Sequence, residues 1–268
     1  MGRAAAVLAR KRAVAFVAVA AGLTAYYFAA DSIPRLSTWW EVTLLACALF
    51  PGVFLLDWLV LPLATARGLL PTAAAVAVLA VLAEVAELEV LANFAKLAAV
   101  TFFAFWFLNL FEELLLLAIV ALIIPFIDAY SVFRGPTGNI VEHHSSVFER
   151  LSFFFALPHE ADDPRLGIPD LLFFALFLAA SVRFGLRAGW TWVGMVLGLG
   201  ATIVIAVWAD ASGLPALPAL SAGFVIPNAD RIWRQRRGRD GPRGPSLRHA
   251  STFRSSSAPR RRDAGRPQ

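Results

Sequence analysis

The sequence predicts an all-α polytopic membrane protein, a bundle of about eight to nine transmembrane helices. Of its 268 residues, 59% are hydrophobic and 16% charged, and the mean hydropathy is +0.67. Apolar runs of the roughly 20 residues needed to cross the hydrocarbon core recur along most of the chain. Backbone groups in lipid must be satisfied within their own segment, which makes the spans helices. These observations exclude a soluble two-domain enzyme of this length.

The runs fall at 13–30, 42–64, 69–86, 90–110, 113–133, 166–186, 190–209 and 214–230. The first follows Arg3, Arg10, Lys11 and Arg12 and is read as an uncleaved anchor, because a cut after Ala30 would place bulky Phe28 at position −3. The second holds Cys47, the lone cysteine, which can form no intrachain disulfide. Glu84, Glu87 and Glu89 cluster between the third and fourth runs and mark a loop, while Lys96 has a stem long enough to snorkel. Glu112 and Glu113 are headgroup-level acids at a span end. Gly194 and Gly198, four apart in the seventh run, allow close helix contact. The last run is short and proline-rich. Three regions result: N-terminal spans over 1–112, a second helical region over 113–230 with a mixed-charge loop at 134–165, and a tail over 231–268.

Charge separates the tail from the rest. Residues 231–268 carry twelve arginines against Asp240 and Asp263, a net of +10, so the preceding 230 residues sum to −5. This Gly/Pro/Ser/Arg-rich stretch buries too little apolar area to offset ordering and is expected to be disordered. It is read as a solvated topology signal, with attraction to anionic lipid headgroups as its functional alternative and no specific nucleic acid as a partner. With eight spans, the N-terminal basic cluster, Arg67, Arg187 and the tail fall on one side, which predicts both termini cytoplasmic and 134–165 outside a cell membrane.

Two aspartates, Asp128 and Asp170, lie near the facing ends of consecutive runs, 42 positions apart. One carboxylate at bilayer depth costs about 2.5–3.5 kcal/mol on insertion scales, so each needs a partner, and each is a candidate partner for the other. Two carboxylates a few ångströms apart do not both ionise readily and hold one shared proton near neutral pH. Such a pair supplies a base that activates water and an acid that protonates the oxyanion and then the leaving nitrogen of a peptide bond. The chemistry needs no metal and no organic cofactor.

The flanking residues resemble a known pattern. Ile127-Asp128-Ala129-Tyr130-Ser131-Val132-Phe133-Arg134 is similar to the first catalytic helix of the presenilin and signal peptide peptidase family, its archaeal members especially. Leu166-Gly167-Ile168-Pro169-Asp170-Leu171-Leu172 resembles that family's Gly-x-Gly-Asp helix. Gly213-Leu214-Pro215-Ala216-Leu217-Pro218 resembles its Pro-Ala-Leu motif, with Pro218-Ala219-Leu220 as a second register. Ile127 stands where the family has tyrosine and Pro169 where it has glycine, and the family usually has nine spans. The resemblance implies an intramembrane aspartyl protease that cleaves within transmembrane-helix protein substrates, with Asp128 and Asp170 catalytic. Gly167, Pro169, Pro215, Ala216, Leu217 and Pro218 would then border the substrate. It also implies that 151–157 is a strand with an exposed edge for an unwound substrate, bringing Phe155 and Leu157 to the substrate. From the residues alone, that segment reads equally as an amphipathic stretch at the membrane surface. Pro169 suits the first turn of a helix, which would put Asp170 at its positive end and nominate it as the base.

Other classes fit the residues less well. His143, His144, His159 and His249 lie outside the runs, which removes the histidine of a rhomboid-type dyad. His159-Glu160-Ala161-Asp162-Asp163 is not a zinc-protease His-Glu-x-x-His, and Glu142-His143-His144 reads as a solvated loop. Leu117 stands where prenyl-protein-type proteases have an arginine after a glutamate pair, and Leu172 where prepilin peptidases, the closest rival enzymes, have a lysine. The alternative of a different kind is a non-catalytic presenilin-like protein or a proton- or cation-coupled transporter, with Glu84, Glu87, Glu89 and Lys96 as further polar sites.

Overall fold

In a computed structural model, residues 3–134, 150, 152–159, 163–209, 211 and 214–240 are described. The Glu142-His143-His144 cluster, Gly213 and the tail beyond 240 lie outside them.

Every apolar run is helical. In chain order the helices are α1 (Arg3–Ala29), α2 (Thr38–Leu44), α3 (Phe50–Val60), α4 (Leu69–Val85), α5 (Glu89–Phe107) and α6 (Leu114–Arg134). After the strands β1 (Ser152–Phe154) and β2 (Arg165–Gly167) come α7 (Ile168–Arg183), α8 (Ala188–Trp208), α9 (Leu217–Val225) and α10 (Ala229–Asp240). Among the described residues, five helical segments are long and apolar enough to cross a membrane: Val7–Ser32, Thr38–Thr65, Glu89–Leu110, Leu114–Val132 and Ala188–Trp208. The 17-residue α4 and the 16-residue α7 are shorter, about 24–26 Å at 1.5 Å per residue. The protein is thus a helical membrane protein.

Local chemistry explains the breaks. Pro51 falls inside the Thr38–Thr65 segment, where its ring opposes the carbonyl one turn back, and the π-helical turn Leu45–Leu49 just before it widens the helix to make room. The α4–α5 loop closes as a Schellman turn, with the Leu88 amide on the Ala83 carbonyl at 2.9 Å, the Glu87 amide on the Glu84 carbonyl at 3.1 Å, and Glu87 at φ 59°. The glutamate cluster thus straddles the loop, with Glu84 in the last turn of α4, Glu87 in the loop and Glu89 opening α5. Gly185, at φ 65°, ends α7 in the same way.

At the centre lies α7. From Leu171 to Ser181 it is buried on nearly every face, the pattern of a helix surrounded by other helices. Phe174 stacks on Phe54 of α3 at 3.8 Å between ring centroids, and Phe177 stacks on Phe224 of α9 at 4.7 Å. The closest approach in the bundle is between α8 and α9. A Cβ on Gly223 would lie 2.5 Å from the Met195 amide nitrogen, and one on Gly198 would lie 2.9 Å from the Ala219 carbonyl. Gly194 and Gly198 thus have the close-packing role expected of them.

The mostly helical fold includes one short antiparallel hairpin, in which β1 and β2 pair with Phe153 opposite Leu166. Polar groups on two helices favour the strand over an amphipathic surface segment. Asn93 accepts from the Phe154 amide at 3.0 Å and donates to its carbonyl at 2.8 Å, Tyr27 donates to the same carbonyl at 2.7 Å, and Tyr26 donates to the Ala156 carbonyl at 2.9 Å. Lys96 does not snorkel to solvent. It pairs with Glu84 at 3.0 Å and reaches the Ser152 carbonyl.

The tail also departs from expectation: its first ten residues, 231–240, lie in α10 instead of being disordered. Arginine is a good helix former, Asp230 occupies the first turn, and the Asp230–Arg234 pair at 2.6 Å spans one turn. Asp230 also takes a two-pronged contact from Arg187 at 2.6 and 3.0 Å, which pins α10 to the start of α8.

Candidate active site

The site is assembled from three helix ends. Asp128 lies on α6 three residues after Pro125, whose missing amide leaves the preceding turn one hydrogen bond short. Asp170 is the third residue of α7, behind Gly167 as N-cap and Pro169 in the first turn, as the sequence predicts. The Gly167 amide donates to the Asp170 carboxylate, the back-bond that an acidic residue at this position makes to its own cap. Asp128 lies within electrostatic reach of Asp170.

The third end is that of α9. Leu217 is its first residue, and its amide donates to Asp128 Oδ2 at 3.1 Å. Pro218 has no amide, and those of Ala219 and Leu220 already reach the Ala216 carbonyl at 3.1 Å each. Leu217 therefore presents the one first-turn donor that α9 has to spare. Of the two Pro-Ala-Leu stretches, it is the first, Pro215-Ala216-Leu217, whose leucine amide reaches Asp128.

The flanking residues divide into two groups. Gly167 touches the carboxylate: a Cβ there would sit 3.2 Å from Asp170 Oδ2 and 3.4 Å from Pro169 Cδ. Its φ of −64° is ordinary, so the glycine provides space and not an unusual dihedral. Pro169 is exposed, Pro215 and Pro218 are half-buried, and Ala216 and Leu217 are buried. Phe155 and Leu157, expected at the substrate, are instead core residues at 1% and 7% exposure; Phe155 packs on Phe50 and Phe153.

Nor is β1 the open edge. Its outer backbone groups are those held by Asn93, Tyr27 and Lys96. The Phe155 amide bonds the Pro164 carbonyl at 2.9 Å, and the alternation of an antiparallel ladder then turns the backbone of Arg165 and Gly167 toward the far side of β2, next to Asp170.

The helix-end argument that nominated Asp170 as base applies to both aspartates, since Asp128 faces the start of α9 as Asp170 faces that of α7. It singles out neither. Sequence reasoning also passed over Pro125, the Asn93 and Tyr26-Tyr27 clamp, and Asp57, which lies inside the run 42–64 and is 1% exposed. For each, the signal was a polar or proline residue within an apolar run. No protein-family model, curated protein or solved structure matches the chain.

Proposed function

We propose that this protein is an intramembrane aspartyl protease of presenilin-like architecture. It would span a cell membrane eight or nine times, keep both termini on the cytoplasmic side, and hydrolyse peptide bonds within transmembrane segments of other proteins. One observation carries the reading: two carboxylates from different helices lie within electrostatic reach while a backbone amide of a third helix holds one of them.

The chemistry follows from a pair that shares one proton. The ionised carboxylate takes a proton from a water molecule as the water oxygen bonds to the substrate carbonyl carbon, and its protonated partner gives its proton to the carbonyl oxygen. When the resulting diol collapses, the carbon–nitrogen bond breaks and a carboxyl proton passes to the leaving nitrogen. A helical substrate encloses its carbonyls, so it must be held extended.

The test is cleavage of a tagged single-span substrate by the purified protein in liposomes. Asp128→Asn and Asp170→Asn should each lower turnover by at least about 10³-fold, and the double variant should be no worse than either, because the two groups act as a unit. Near-normal turnover in either single variant would remove the dyad. Loss of a proton flux with no cleavage at any stage would favour the transporter alternative.

A further inference from the structure

Away from the aspartate pair, α1, α3 and α5 enclose a cavity of about 350 Å³. One stripe of α1, Phe16, Ala20, Thr24 and Phe28, runs along its length at four-residue spacing. Phe28 and Leu91 at its rim are 75% and 46% exposed, so the slot opens on the outer, lipid-facing surface of the bundle. Its lining is apolar apart from Thr24, Thr101 and Asp57.

Asp57 is the most buried acid among the described residues. It is 1% exposed, Oδ1 lies 2.7 Å from the Thr101 hydroxyl, and Oδ2 has no hydrogen-bond partner among the described residues. Buried polar atoms of native proteins are nearly always partnered, so an orphan oxygen on the wall of a cavity marks a place where a ligand completes the set. Thr101 Oγ1 is also 2.8 Å from the Leu97 carbonyl and has one proton for two neighbours. Either Thr101 donates to Oδ1, or Asp57 as an acid donates to Thr101 through Oδ1 while Thr101 serves Leu97. In both arrangements Oδ2 accepts; only an acid proton placed on Oδ2 itself makes it a donor.

We propose that this slot binds an uncharged long-chain amphiphile, its apolar chain lying along the α1 stripe and its terminal hydroxyl meeting Asp57 Oδ2. A hydroxyl both donates and accepts, and so satisfies Oδ2 in every arrangement. The volume is at the lower end for a small-molecule site and too narrow for a second helix of 10–12 Å diameter. One carboxylate and one hydroxyl fall far short of the oxygens a calcium ion requires. The site is independent of the protease reading.

The experiment uses the full chain in lipid nanodiscs with a hexadecanol that carries a mid-chain diazirine, followed by irradiation and peptide mapping. Label is expected on residues 16–28 or 90–102, reduced at least fivefold by excess 1-hexadecanol and less than twofold by hexadecyl methyl ether or hexadecylamine. Asp57→Leu should reduce labelling at least fivefold, and Asp57→Asn, which keeps an acceptor of the same shape, should retain it. Equal competition by the ether would reduce the slot to an apolar crevice, and stronger competition by the amine would overturn the uncharged class. Undiminished labelling in a folded Asp57→Leu protein, or label confined to other helices, would overturn the site. Should Asp57→Leu fail to fold, the competition series on the unaltered protein decides alone.

Discussion

Asp128 and Asp170 on one side, and Asp57 on the other, are carboxylic acids placed within the same helical bundle by different means. The first two meet helix starts: Asp128, late in α6, faces the start of α9, where the Leu217 amide reaches it, and Asp170 lies in the first turn of α7, where the Gly167 amide reaches it. Asp57 lies mid-helix, where every backbone amide is committed to the turn before it, and a single threonine hydroxyl serves it. The difference comes from proline-led helix starts. The proline-led starts of α7 and α9 beside the pair leave first-turn amides for the carboxylates, whereas Asp57, two turns beyond the start of α3, has only side-chain chemistry. A pair supplied by backbone donors is fitted to reaction; a lone acid on the wall of an apolar slot is fitted to holding a ligand.

The largest effect on this contrast should come from Gly223→Ala. The added Cβ would meet backbone atoms of α8 at 2.5–2.7 Å, which no side-chain rotation relieves, so α9 must shift and carry the Leu217 amide away from Asp128. We expect a loss of about 3 kcal/mol in stability and at least a tenfold drop in cleavage, read by thermal unfolding in detergent and by the liposome assay. Unchanged activity would detach the α9 amide from the function of the pair.

Asp57→Leu should act in the opposite sense. It removes a buried oxygen without a partner, and Thr101 keeps the Leu97 carbonyl, so thermal stability should rise by about 1–2 kcal/mol. A destabilised protein would mean that Oδ2 is satisfied in the folded state without any ligand.

The sequence reading succeeded where helix periodicity and chemistry coincide. All eight apolar runs are helical, and Asp128, Asp170 and Leu217 come together across 89 positions. It failed where burial depends on partners distant in the chain. Phe155 and Leu157 read as substrate contacts because a strand was expected to expose its edge, but Asn93 and Tyr27, 61 and 127 positions away from Phe154, close that edge. Asp57 carried the same signal as Asp128, an acid in an apolar run, yet only the fold reveals that no second carboxylate among the described residues faces it.

Pro169→Gly is a smaller perturbation. The proline is exposed and in the first turn of α7, so glycine should fold normally while loosening the Asp170 end, changing turnover by about threefold, or roughly 0.7 kcal/mol on the barrier. An unchanged rate would make this position neutral.

The smallest effect concerns Asp230, an acid at the bundle end served by neither backbone amide nor slot. Hydrogen bonds from Arg187, with Arg234 adding to them, hold its carboxyl at about 2, below the ordinary 3.8. A lowered value in the folded state means that the contact stabilises above about pH 4 and is lost as pH falls toward 2. Asp230→Asn should therefore flatten stability between pH 4 and pH 2 and leave the slope near neutrality unchanged; an identical acid slope would assign that loss to other carboxyls.

The central claim, that Asp128 and Asp170 act together on one tetrahedral carbon, is tested most directly by binding. A peptide in which a secondary hydroxyl replaces the scissile carbonyl mimics the hydrated intermediate and requires no knowledge of the natural substrate. Transition-state mimics of this kind bind 10²–10⁸-fold more tightly than substrates. The purified protein should bind it, Asp128→Asn and Asp170→Asn should each weaken binding by about 10²-fold or more, and the double variant should lose little beyond either. Equal affinity for the unaltered protein and both single variants would contradict the account.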